Sequence, residues 1–129
     1  MKRNLISTIL AGMLVLTANQ LYSLTPSVVN NIETISREIL DNLVKADYAA
    51  VRTNFHSTLR DQLSVQQIRD AWTNLTASVG KFKEIMTVKE STVNNYRQIN
   101  IRCKFENDNA TLQVTFNENE KVVGIYLIP

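Results

Sequence analysis

Glycine, proline, cysteine and histidine are all scarce in this chain: 129 residues contain three, two, one and one of them. The glycines, Gly12, Gly80 and Gly124, are too few and too far apart to write a phosphate-cradling loop, a dinucleotide fingerprint or a nucleophile elbow. Cys103 alone excludes an internal disulfide and a cysteine-based zinc site, and His56 alone excludes a two-histidine metal site. There is also little surplus of charge. Fourteen basic residues stand against twelve acidic ones. The lysines and arginines are scattered singly, without interleaved aromatics, so nothing in the pattern favours nucleic acid or an anionic membrane. An apolar fraction of 44% with 20% charged residues is that of an ordinary globular domain.

The first residues read as an export signal. Lys2 and Arg3 precede an apolar run from Leu5 to Leu16 that is broken only by Ser7, Thr8 and Gly12. That run is shorter than the ~20 residues a bilayer span needs. Small residues at Ala18 and Ser23 mark two cleavage sites, and the second is preferred, giving a signal at 1–23 and one α+β domain at 24–129. The competing reading of the run is a buried core helix. Removal of Lys2 and Arg3 leaves a neutral mature chain with no stable membrane anchor. Export places the protein in the periplasm or outside the cell.

From Pro26 to about Val44, Val28, Ile32, Ile35, Ile39 and Leu43 recur at steps of three and four, which stacks them on one helical face. Asp47 is placed to cap a short second helix with Tyr48, Val51 and Phe55 on its buried side. The link from Phe55 to Leu63 is read as partly helical, with Leu59 and Leu63 turned inward. Ser64-Val65-Gln66-Gln67 has the form of a capping box. Ile68, Trp72, Leu75 and Val79 then line a third helix, and Gly80 ends it with a left-handed backbone.

Beyond Gly80 the period drops to two. Strands are expected over 82–88, 98–106, 110–116 and 121–128. Ile99, Ile101, Cys103 and Phe105 share one face, as do Ala110, Leu112, Val114 and Phe116. Asn107-Asp108-Asn109 and Asn117-Glu118-Asn119-Glu120 supply turns. The fold class is therefore α+β: three N-terminal helices packed on one face of a curved, four-stranded antiparallel sheet.

Tyr48 and Phe55, Leu63-Ser64, Trp72, Leu75 and Gly80-Lys81-Phe82 carry a family resemblance. So do Cys103-Lys104-Phe105-Glu106, Leu112 to Phe116 and Val122-Val123-Gly124. Over about residues 47–129 the chain resembles the domain of unknown function 3887 family, of nuclear-transport-factor-like (cystatin-like α+β) architecture. The resemblance implies a cone-shaped fold and an exported setting. Related domains stand in front of a secreted α/β-hydrolase as accessories, and here the domain is expected without one. Enzymes of the broader superfamily place an acid or a histidine inside a pocket between sheet and helices. The resemblance supplies no catalytic residue.

The inward strand faces hold neither an acid nor a histidine, which argues against proton-transfer chemistry. Glu84 is the one strand acid of ambiguous facing. His56 and Ser57 are neighbours on the chain and do not face each other, and Cys103 lies in a buried run, so no nucleophilic dyad is expected. Asn74-Leu75-Thr76 and Asn109-Ala110-Thr111 match the N-glycosylation pattern, which matters only in a eukaryotic secretory pathway. Tyr48, Phe55, Trp72, Cys103 and Tyr126 are the candidate ligand-binding residues. The expected function is a non-catalytic exported module for a small apolar ligand or a protein partner, without cofactor, metal or nucleic acid. A pocket enzyme of ketosteroid-isomerase-like type and a homodimer joined through the sheet are the alternatives.

Overall fold

The structure, a computed structural model, describes residues 30–129. The export signal, both cleavage sites, Pro26 and Val28 lie outside the described residues. Four helices precede four strands: α1 (Asn31–Val44), α2 (Tyr48–Val51), α3 (Ser57–Gln62), α4 (Val65–Val79), β1 (Phe82–Val93), β2 (Tyr96–Phe105), β3 (Asn109–Phe116) and β4 (Val122–Ile128). The strands form one antiparallel sheet in the order β1-β2-β3-β4, so β1 and β4 are its edges.

Helix α1 buries Ile32, Ile35, Ile39 and Leu43, the stripe that the spacing marks out, and widens it with Ser36 and Leu40. Ser36 tolerates full burial because its hydroxyl donates to the Ile32 carbonyl at 2.8 Å. The helix stops where Ala46 turns to φ 63°. The Ala46 N–H then reaches the Leu43 carbonyl at 3.1 Å and the Asp47 N–H reaches that of Asn42 at 2.8 Å. This is the paired closure that usually recruits glycine.

The Asp47 carboxylate accepts the Ala50 N–H at 3.2 Å and starts α2. That helix ends at Val51, so Phe55 is not on it, contrary to the spacing-based expectation. The chain instead turns through Arg52–Asn54, becomes extended at Phe55 and His56, and forms a parallel bridge between Phe55 and Val122. The Val122 N–H donates to the Asn54 carbonyl and the His56 N–H to the Val122 carbonyl, each at 2.8 Å. This extended step separates α2 from α3 and explains four helices where three were expected. Leu59 and Leu63 do pack against the core.

Both halves of the Ser64/Gln67 capping box are formed, at 3.2 and 2.8 Å. At the other end of α4, Gly80 has φ 87° and ψ −170°. The φ is positive as expected, but the ψ is extended, a combination essentially confined to glycine.

The register brings Ile99, Ile101 and Cys103 of β2 beside Val114, Leu112 and Ala110 of β3, and Phe105 continues the same face of β2. All are buried against the helices. Trp72 lies between α4 and the sheet, 5.8 Å from the Phe105 ring centroid, and Phe82 meets Phe105 edge-on at 5.8 Å. On the far face Gln113 donates to Asn100 at 2.9 Å and Arg102 to Thr111 at 3.2 Å, a polar lattice facing solvent. Two register shifts in β1 and one between β3 and β4 curve the sheet. Strand β1 runs to Val93, past the expected Val88. It returns through Asn94-Asn95, where Asn94 at φ 56° makes the two-residue turn.

Candidate functional site

A cleft of about 440 Å³ opens between α4 and the β4 edge. Ile68 and Leu75 line it from α4, together with Leu43 and Leu63. Ile125 and Leu127 line it from β4, where they share a sheet face with buried Val114 and Leu112. The opening exists because of one helical line, Ala71, Asn74 and Ser78, beside the buried stripe. Short side chains there hold no surface against β4 and leave a gap. Asn74, Ser78 and the strand at Tyr126 bring the polar groups; no lysine, arginine, histidine or acid is in the lining. A mostly apolar concavity with a few polar groups at its rim is the usual form of a small-ligand site.

The five residues singled out from the sequence are not brought together. Tyr126 belongs to the cleft, but its ring turns to the other sheet face and covers Gly124: a Cβ there would meet Tyr126 Cε2 at 3.2 Å. Trp72 borders a separate recess of about 360 Å³ with Val44, Thr76, Lys81 and Phe82. Its inner side meets Cys103, Phe105 and Leu112 in an interior with no room for water. Cys103 is 1% exposed, and burial pushes its thiol up to about 11. Phe55 is buried at the bridge to Val122. Tyr48 is half-buried beneath the Arg69 guanidinium, 5.7 Å from its ring centroid.

The groups considered for catalysis have other occupations. Glu84 is an exposed residue of edge strand β1. His56 Nδ1 accepts the Thr58 N–H at 3.2 Å as the cap of α3. Among the described residues no three acids, histidines or cysteines cluster as metal ligands would, and no helix is long and apolar enough to cross a membrane. Sequence reasoning missed Ala71, Asn74 and Ser78. Their three- and four-residue spacing was the available signal, masked because short residues beside an apolar stripe read as ordinary surface.

Residues 36–125 match the family described as protein of unknown function, DUF3887. The chain belongs to the DUF3887 family. The match starts earlier than the resemblance at 47–129, taking in most of α1, and ends at Ile125. Among curated proteins, this DUF3887 chain is 24% identical over 87 residues to a Thermotoga maritima protein named esterase EstD. That match covers 67% of this chain and only 21% of the relative, so the chain spans about a fifth of it. Among solved structures, an NMR structure of a Ruminococcus gnavus protein shares the fold with TM-score 0.57 and 19% identity, covering 79% of this chain and 94% of that one. A de novo designed protein with a curved β-sheet gives TM-score 0.44 and 17% identity, over 76% and 84% of the two chains.

Proposed function

We propose that this DUF3887 domain is a non-catalytic, exported binding module that holds a small neutral apolar ligand between α4 and β4. The observation that carries the reading is the chemistry of the cleft: apolar walls, a rim with Asn74 and Ser78, and no charged side chain. Proton transfer needs a tuned acid or base and hydrolysis needs an activated nucleophile, and the lining offers neither. A ligand buried against such walls gains from apolar contact, while the rim amide and hydroxyl reward one polar end. The basic start and short apolar run of residues 2–16 support export to the periplasm or beyond. Helices on one face of a curved sheet agree with a nuclear-transport-factor-like architecture. The match to part of a protein named esterase favours a second reading, an accessory role beside a catalytic domain.

The test is a titration of the isotopically labelled protein with 1-octanol, followed by amide chemical shifts. Binding in the cleft moves Ala71, Asn74, Leu75, Ser78 and Leu127 together. Ala71→Phe, which fills the gap from an exposed helix position, abolishes those shifts while the protein stays folded. Shifts centred elsewhere, or unchanged binding in Ala71→Phe, would refute the proposal.

A further inference from the structure

The two edges of the sheet are treated differently. Strand β1 carries Lys83, Glu84, Lys89 and Glu90 and is bent by two register shifts. Charges and bulges of this kind keep an edge from recruiting another strand. Strand β4, Val-Val-Gly-Ile-Tyr-Leu-Ile, has no charge anywhere along it. It is apolar on both faces: Ile125 and Leu127 toward the helices, Tyr126 and Ile128 away from them, the latter two 57% and 44% exposed. Its first residue already has a partner on the outer side, since the segment around Phe55 makes one isolated parallel bridge to Val122 there. That segment then turns away into α3. From Gly124 to Ile128 the outer edge meets no strand among the described residues.

We propose that this stretch of β4 pairs antiparallel with the same stretch of a second copy, joining two four-stranded sheets into one. The open edge calls for a strand uncharged and apolar on both faces, and β4 is itself such a strand. A two-fold axis at Tyr126 sets Tyr126 against its own copy and Gly124 against Ile128, the self-complementary contact of a closed dimer. Because the axis stands perpendicular to the sheet, both helical layers stay on one side and the two α4–β4 clefts open toward each other. Five paired residues extend about 17 Å. That is a small interface, at the weak end of specific association.

Sedimentation velocity of the purified protein between roughly 10 µM and 1 mM reads this out as a concentration-dependent shift from monomer to dimer. Amide exchange at 124–128 slows over the same range. Tyr126→Lys sets two ammonium groups opposite each other, and Ile128→Lys sets one at each end of the seam. Both positions are exposed, so both variants keep the fold, checked by circular dichroism, and remain monomeric at 1 mM (about the top of that range). Met86→Lys, at an exposed position on β1, leaves dimerisation unchanged. A wild-type monomer throughout, a dimer that survives both β4 variants, or a dimer without added protection at 124–128 would overturn the proposal.

Discussion

Replacing Gly80 with alanine tests how the helical layer is joined to the sheet. Gly80 sits at φ 87° and ψ −170°, where an L side chain is strained by about 1–3 kcal/mol. A Cβ there would also lie 2.7 Å from Glu106 Cβ and 3.0 Å from Glu106 Oε1. Glu106 cannot simply move aside. Its carboxylate accepts the Lys81 N–H at 2.9 Å, and its own N–H donates to the Lys81 carbonyl at 2.9 Å. The next N–H, of Asn107, reaches the Val79 carbonyl at 2.8 Å. Crowding a site held on both sides adds about 1–3 kcal/mol. Together Gly80→Ala costs roughly 2–6 kcal/mol, a large share of the ~5–15 kcal/mol that holds a small domain. Urea unfolding should show the midpoint falling with an unchanged slope, and the melting temperature should drop by at least about 10 °C. In a double-mutant cycle, Glu106→Gly should recover part of the loss in the alanine background, because it removes the Cβ that collides but not the backbone strain. Wild-type stability in Gly80→Ala, within about 0.5 kcal/mol, would refute both parts of the reasoning.

The reverse substitution applies at the end of α1. Ala46→Gly should raise stability by about 1 kcal/mol in the same urea assay, since alanine there holds a left-handed φ of 63° that glycine adopts freely. Cys103 makes the folded state sensitive to alkali. Its thiol is held near 11 when folded, against an ordinary value of 9.0, so the unfolded chain loses this proton first and stability falls as pH rises from about 9 toward 11. The loss amounts to roughly 2 kcal/mol and should be missing from Cys103→Ala measured over the same range.

The sheet was readable in the sequence because its faces differ so sharply. Ile99 to Phe105 and Ala110 to Phe116 alternate without a break, and each apolar position is buried. The α4 start was equally legible, since Ser64 and Gln67 act locally. Phe55 was misplaced because its partner, Val122, is far along the chain, and spacing within a helix carries no trace of such a contact. The longer β1–β2 hairpin was hidden by its polarity: residues 89–97 are all exposed, so no alternation marks them. The cleft was illegible for a related reason. It is made by what Ala71, Asn74 and Ser78 leave unfilled, and absent volume depends on how far β4 stands from α4.

The bridge between Phe55 and Val122 also orders events in time. During synthesis the segment around Asn54–His56 emerges well before β4, and until Val122 arrives the His56 N–H and the Asn54 carbonyl have only water to bond. The same delay governs the start of α1, whose Asn31 amide donates to Glu120 at 2.9 Å, just before β4. The start of α1 and the link between α2 and α3 therefore receive these anchors from the end of the domain. Closing such long loops is slow relative to local helix formation. The growing chain must carry Phe55 and its neighbours unprotected until the final strand is released, so the interval before β4 docks is when the domain is most open to misassociation.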